Sequence, residues 1–316
     1  MMKIYKTIDE QGFFREISTI EKGCWINLVA PTLQEINTIC HTINISDEFI
    51  RYPLDQEEKA RIDIEDDQIL IIADVPIYEA PDNSSDEAFS TFPLGMLVVR
   101  DDYFITICTR ENPIIKEFID CKIKGFYTFK KTRFILQILY KTAAYYLTYL
   151  KSINRETDKT EDRLQKTMRN EELIKLLSLQ KSLVYFTTSL KSNEIVMEKL
   201  LRGNVIKMYD EDEEILEDAI VENKQAIEMG SIYRDILSGT MDAYASVISN
   251  NLNIVMKLLT SITIILSVPT IIASLWGMNV AGLPFSDSPA GFWIIIALSL
   301  GVSVVSLIIM KKRDMM

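Results

Sequence analysis

Histidine occurs once in this chain, at position 41, so one copy can build neither a His-rich metal site nor a Ser-His-Asp triad. The cysteines are Cys24, Cys40, Cys108 and Cys121, with no C-x-x-C pair among them. That scatter argues against a disulfide framework or a thiolate zinc site and suits a reducing cytosolic setting. Neither G-x-G-x-x-G nor G-x-x-x-x-G-K-[ST] occurs, so both familiar phosphate-cradling loops are missing. No nucleophile–base pair stands out, and no enzyme is expected. Net charge is −11. Clustered Lys and Arg are what phosphate backbones require, so nucleic acid is not an expected partner. Lys3, Lys6, Asp9 and Glu10 lead into no apolar core, so no cleavable signal peptide is expected.

Charge is also missing from two long stretches near the C-terminus. Leu258 to Trp276 is an uncharged run of 19 residues, and Gly291 to Met310 is a second of 20. As helices, both can cross a hydrocarbon core of ~30 Å. The connecting stretch, Gly277 to Ala290, has no Lys or Arg and one acid, Asp287. Lys257 precedes the first run, and Lys311-Lys312-Arg313 follows the second. The positive-inside rule then places both termini in the cytoplasm and the loop outside, as a multi-pass protein of the plasma membrane.

Residues 1–125 read as a cytoplasmic α/β domain. Cys24–Val29, Gln68–Val75, Gly95–Val99 and Phe104–Cys108 are apolar or β-branched runs expected as strands. Thr32 to Ile43 places Leu33, Ile36, Ile39 and Cys40 on one face, a helix opened by Pro31. Asp82-Asn83-Ser84-Ser85-Asp86 is a loop signal. Residues 126–209 hold two antiparallel long helices. Phe134, Ile138, Leu139, Ala143, Tyr146, Leu147 and Leu150 mark the first, and Leu173, Leu176, Leu177, Leu179, Leu183 and Phe186 the second. Asn154 to Arg169 has almost no apolar face and is expected to project into solvent, and Gly203-Asn204 to stop the second helix.

Residues 210–257 read as a stalk helix continuous with the first span, 258–276. A loop (277–290), the second span (291–310) and a basic tail (311–316) follow. Ile220, Ile227, Met241, Ile248, Val255 and Ile262 share a sevenfold register interrupted by Arg234, which argues for packing against copies or neighbours. From Glu213 to Trp276 the helix would extend about 96 Å at 1.5 Å per residue. Its start carries Asp210-Glu211-Asp212-Glu213-Glu214, then Glu217 and Asp218. These carboxylates serve either as a solvated helix N-terminus, complementing the macrodipole, or as a divalent-cation surface.

Within the first span Thr260, Thr263, Ser267, Thr270 and Ser274 recur at steps of three and four, and seven residues before Thr260 lies Asn253. The stripe is either a hydroxyl-rich contact between helices in lipid or the wall of a water-lined conduit. At its end stands Gly277-Met278-Asn279. The Asn279 amide oxygen could hydrogen-bond the first-shell waters of a hydrated cation without stripping them. Gly277 permits the chain to turn off the helix end, and Met278 packs adaptably.

A Gly-Met-Asn tripeptide between two C-terminal spans resembles the signature of the CorA family of magnesium channels. The resemblance covers the whole architecture and is most specific from Tyr233 to Phe285. Tyr233-Arg234-Asp235-Ile236-Leu237-Ser238-Gly239, Asp242-Ala243-Tyr244 and Ser249-Asn250 resemble the family's stalk, and Asn253 to Thr260 its cytoplasmic pore entrance. It implies an α+β membrane fold: an N-terminal cytoplasmic α/β domain, a long helical stalk and two transmembrane helices, assembled as a homopentamer in the bilayer. Magnesium would be both cargo and regulator, with cobalt or nickel as further cargo. Gly277, Met278 and Asn279 would form the selectivity filter. Asn253 and Thr270 would be polar rings, Met256 and Leu259 a hydrophobic gate, and Asp218 and Asp242 the regulatory metal positions. Asp82, Asp86 and Glu87 are candidates for a neighbour's share of that site. Ser267 departs from the family, which often has an apolar ring there, and the loop is poorer in acids than in many relatives. A zinc transporter of the ZntB type, with the same tripeptide, and a non-conducting membrane-anchored protein are the alternatives.

Overall fold

The structure is a computed structural model describing residues 1–8, 13–79, 89–203, 205–280, 283–284 and 289–312. Asp9, Glu10, the stretch Asp82 to Glu87, Asn204, Asp287 and Arg313 lie outside the described residues. The chain divides into two compact units, Met1–Gly239 and Thr240–Met316.

The first unit is built on one mixed sheet. Its strands are β1 (Met2–Thr7), β2 (Phe14–Ile17), β3 (Trp25–Val29), β4 (Arg61–Glu65), β5 (Gln68–Tyr78), β6 (Phe89–Val99) and β7 (Tyr103–Cys108). They lie in the order β2-β1-β3-β7-β6-β5-β4, and only β3 and β7 pair in parallel. The alternation of side chains splits the core in two. On β5, Ile71, Ala73 and Val75 face one cluster, while Leu70 and Ile72 face the other. The second face is covered by α1 (Leu33–Ile43) and α2 (Asp47–Arg51), through Ile36, Ile39, Phe49 and Ile50. The first is covered by α3 (Pro113–Ile119), α4 (Lys131–Thr167) and α5 (Asn170–Arg202).

The four expected strands all form. β1, β2 and β4 are additions: Arg-Ile-Asp-Ile-Glu in β4 alternates with charge and lacks the apolar run that marks its neighbours. Two prolines sit inside strands without cost. Asp74 pairs with Pro93 and Thr91 with Pro76. The N–H and C=O of Asp74 point away from β6, because both bond to Asn193 of α5, at 2.8 and 2.7 Å. Pro93 must then aim its nitrogen toward the β7 side, where pairing has already ended at Gly95. Pro76 likewise faces the β4 side, beyond the last β4 partner, Ile72. Each missing donor falls just past the end of a neighbouring strand.

Helix α1 starts differently from expectation. Thr32 is the N-cap and forms a reciprocal capping box with Glu35, so Pro31 lies outside the helix, and Leu33 is exposed. The α4–α5 hairpin turns at Met168, in the left-handed region with φ 49°. Its tip is less solvated than the sequence implies. Ile153, Thr157, Thr160 and Leu164 form a narrow buried seam, and the Thr160 hydroxyl is absorbed by the Glu156 carbonyl at 2.8 Å. Threonine can line a buried helical seam because its proton returns to the helix backbone.

The third long helix, α6, runs from Asp210 to Trp276 and is followed by α7, Gly291–Lys312. Within the first unit, Leu216, Ala219, Asn223, Ala226, Gly230 and Leu237 of α6 are buried at steps mostly of three and four. This seam meets the chain's own hairpin. Asn223 Nδ2 donates to the Leu190 carbonyl of α5 at 2.9 Å. A Cβ at Gly230 would stand 2.8 Å from Thr187 Cγ2, so the glycine admits close helix approach. The buried seam thus follows the register of Leu216, Asn223, Gly230 and Leu237; of the expected sevenfold set only Ile220 is buried, and Ile248, Val255 and Ile262 further along are exposed.

One half-buried acid, Asp74, makes this unit sensitive to pH. Burial under α4 and α5 pushes the Asp74 carboxyl up to about 6, opposed by a hydrogen bond with Ser189. The Tyr146 hydroxyl donates to the Asp74 carbonyl at 3.1 Å. A folded-state pKa above the unfolded value favours the fold most below pH 4, and the advantage is lost as pH rises through 6. The loss is about 3 kcal/mol at most. Asp74→Asn should remove this slope and raise the unfolding temperature at pH 7.5. Thermal unfolding followed across pH 4–8 checks it; parallel curves for both proteins would show that Asp74 does not titrate in this range.

Candidate ion-conduction pathway

The second unit presents a continuous polar face along α6. Asp242, Ser246, Ser249, Asn253 and Met256 follow one another along α6 at steps of three and four; Thr260, Thr263, Ser267, Thr270 and Ser274 continue the pattern. At 3.6 residues per turn all of them fall within about 120° of arc, and every one is exposed. Ser261, off this face, is buried. Leu259 lies at the edge of the arc, and both Leu259 and Met256 are exposed. Ser246 and Ser249 join the face beyond the residues picked out by sequence; they carry the same spacing back to Asp242.

Four of the hydroxyl protons on this face are already spent. Thr263 donates to the Leu259 carbonyl at 2.8 Å, Ser267 to Thr263 at 2.8 Å, and Thr270 to Leu266 at 2.9 Å. Ser246 donates to Asp242 at 3.1 Å. Such bonds leave the oxygen lone pairs free, so the stripe offers acceptors to whatever it faces. A hydrated cation presents water hydrogens outward and is matched by such a surface. Pro269 interrupts the backbone ladder between Ser267 and Thr270 without ending the helix, leaving the Ile265 carbonyl without its usual partner.

At the end of α6 the Gly277 N–H bonds the Ala273 carbonyl at 2.9 Å. Gly277 lies outside the left-handed region, contrary to the expected turn-permitting role. Its contribution is space: a Cβ there would approach the Ala273 oxygen to 3.1 Å. Trp276 Nε1 donates to the Pro284 carbonyl at 3.0 Å, and Val280 N–H to Met278 at 2.9 Å. The first bond ties Pro284 to the helix end, and Met278 and Asn279 are exposed.

The acidic start of α6, in the first unit, is not uniformly free. Asp212 is buried; Arg133 of α4 bonds it at 3.2 Å and Glu211 at 2.6 Å. Asp212 also accepts from the Tyr209 N–H at 3.3 Å. It therefore caps α6 and ties it to α4. Asp218 is exposed, beside a pocket of about 310 Å³ that Lys122, Lys124 and Lys141 also line. Among the described residues no three His, Cys, Asp or Glu side chains gather as a metal site.

Both candidate spans are almost wholly uncovered: their most apolar windows have mean hydropathies of 2.1 and 2.6 and are 6% buried in the lone chain. Apolar surface on that scale needs lipid or other chains to cover it. The fold and the polar face thus define a membrane protein with two C-terminal spans and an ion-pathway-like helix. Residues 21–312 match the family described as a CorA-like Mg2+ transporter protein, and the chain belongs to that family. It is 29% identical over 297 residues to the cobalt/magnesium transport protein CorA of Methanocaldococcus jannaschii, covering 91% of this chain and 90% of that one. The complete structure of the CorA magnesium transporter from the same organism superposes with a TM-score of 0.82 at 26% identity, over 98% and 97% of the two chains. The ZntB cytoplasmic domain from Vibrio parahaemolyticus gives 0.58 at 12% identity, over 78% of this chain and 98% of that domain, which is a likeness of fold alone.

The acceptor character of the stripe is testable at Thr270. Thr270→Ser keeps the oxygen and should leave cation flux within about twofold, whereas Thr270→Val keeps the shape and should lower it about tenfold or more, some 1.4 kcal/mol. Equal flux through both variants in liposomes would make the stripe a helix-packing surface instead.

Proposed function

We propose that this chain is a passive Mg2+ channel of the cell membrane, admitting cobalt or nickel as secondary cargo and closed by Mg2+ on the cytosolic side. Five copies would surround a conduit lined by the polar face of α6, with both termini in the cytoplasm. The observation that carries the reading is the row of exposed hydroxyl oxygens along one face of an otherwise apolar span. Magnesium keeps its water tightly, so a conduit for it must bind through water. Acceptor oxygens do so without competing for the metal. Asn253, Thr260, Thr263, Ser267, Thr270 and Ser274 would line the path. Met256 and Leu259 interrupt it with apolar groups where dewetting could block ions.

At the outer end Gly277, Met278 and Asn279 would form the filter, with the Asn279 amide oxygen toward the hydrated ion. The relatives named for cobalt and magnesium transport support this choice of cargo. Magnesium and zinc uptake into liposomes, compared for the wild type and Asn279→Ala, tests it directly. The expected result is magnesium flux that falls at least tenfold in the variant while the oligomer persists. Undiminished magnesium flux through an inserted Asn279→Ala protein would sink the filter assignment, and uptake of zinc in preference to magnesium would favour the zinc reading.

Regulation is proposed at Asp218, with Asp242 as a second acidic position. Asp218 is exposed and supplies one carboxylate per chain, which suits a regulatory ion shared between subunits rather than one held within a subunit. Closure by bound magnesium needs the closed state to bind it better than the open one. Asp218→Lys would place a fixed cation at that position. Protection of α6 from protease should then no longer depend on magnesium. Wild-type dependence retained in that variant would place the sensor elsewhere.

A further inference from the structure

A cleft of about 850 Å³ in the first unit is lined by none of the pathway residues. It opens between the starts of α4 and α6 and the turns that precede β5 and β7. Its floor is apolar, with Val98 and Ile206 nearly buried. Its size falls within the ~300–1,000 Å³ usual for small-molecule sites. Four cations and five acids line it, and many of these charges already satisfy one another. Lys131 pairs with Asp101 at 3.1 Å, and Arg133 with Glu211 and Asp212.

The charges left over are informative. Lys130 and Lys207 have no carboxylate partner among the described residues; each rests over an aromatic ring, Tyr127 at 4.9 Å and Tyr209 at 5.6 Å. Asp67 and Asp210 are exposed acids with no cationic partner among the described residues. Two aromatic rings, Phe129 and Tyr209, are 50% and 66% exposed at the cleft. The start of α4 adds donors. Lys130, its N-cap, makes no side-chain cap, and the first-turn N–H groups have no acceptor among the described residues. Such a helix start favours an anion.

A ligand that answers all of this carries anionic oxygens for the lysines and the helix start, a divalent cation for the acids, and a planar ring for Phe129 or Tyr209. We propose that the cleft binds a nucleoside polyphosphate as its magnesium complex. The polyphosphate lies over the α4 start between Lys130 and Lys207, the metal faces Asp67 and Asp210, and the base stacks on an exposed ring. Both usual phosphate-loop fingerprints are absent from the sequence, so recognition here is by side chains and a helix start from separate segments. The inference does not rest on the transport reading, since none of these residues belongs to the conduction pathway.

Binding of radiolabelled ATP to the full-length protein in detergent, measured by equilibrium dialysis at a fixed magnesium concentration, tests it. Saturable binding near one ATP per chain is expected. Lys130→Glu with Lys207→Glu should weaken it at least tenfold; both side chains are exposed, and unchanged thermal unfolding confirms that the variant is folded. If the double variant does not fold, Lys207→Gln alone should still weaken binding severalfold. Tyr209→Ala should weaken ATP but leave tripolyphosphate unaffected, and EDTA should weaken ATP in the wild type. No saturable ATP binding at millimolar concentration, or wild-type binding by the charge-reversed protein, would overturn the proposal. Tripolyphosphate binding as tightly as ATP would overturn the nucleotide and leave only a polyphosphate site.

Discussion

A helix that crosses lipid must satisfy its own donors, because the hydrocarbon offers no acceptor. That constraint shapes α6 more than any other. It explains why the hydroxyls of Thr263, Ser267 and Thr270 turn back to carbonyls four residues earlier. It also makes a hydroxyl stripe an electrostatically one-sided surface: with the proton committed, only oxygen lone pairs face outward. A face required merely for close helix packing would be served as well by alanine or glycine. Here the small apolar alternatives are largely absent from the arc, and acceptors recur from Ser246 to Ser274.

The same constraint explains which parts of the molecule were legible in the sequence. Lipid demands about twenty uncharged residues per crossing, so the two spans could be read by counting, and α7 begins at Gly291 as expected. The spacing of the polar residues followed from helical geometry alone. Their hydrogen bonding did not: a serine at a given position looks the same whether its proton faces water or its own backbone. Gly277 was misread for a similar reason. A glycine at a helix end usually signals a left-handed turn, whereas this one is set by the distance to the Ala273 oxygen.

The α/β unit was harder to read because its elements depend on partners distant in sequence. β4 is a charged, alternating segment that becomes a strand only by pairing with β5. The helical tip from Asn154 to Arg169 looked wholly polar, yet Thr157 and Thr160 are buried, since threonine can hide its hydroxyl in the helix. The sevenfold repeat read on α6 is not the seam that packs: of its members only Ile220 is buried, while the buried register is Leu216, Asn223, Gly230 and Leu237. Asn223 and Gly230 meet the chain's own hairpin. An asparagine and a glycine carry no apolar signal, so hydrophobic periodicity does not reveal this seam.

That partner bears on how the acidic start of α6 can act. Seven carboxylates lie between Asp210 and Asp218, and as a divalent-cation surface they would act together. Two of them, Glu211 and Asp212, are held by Arg133, and Asp212 is further committed to the Tyr209 N–H. Removing Asp212 would leave Arg133 half-paired and α6 uncapped, a cost within the chain itself. Repulsion between copies must come from the remaining exposed acids, and water screens those within about 8 Å at physiological salt. Screening that short favours a sensor in which one carboxylate faces a close ligand from another subunit over one that sums a diffuse field. Asp218, exposed and without an ion pair among the described residues though three lysines share its pocket, has the isolation such a contact requires.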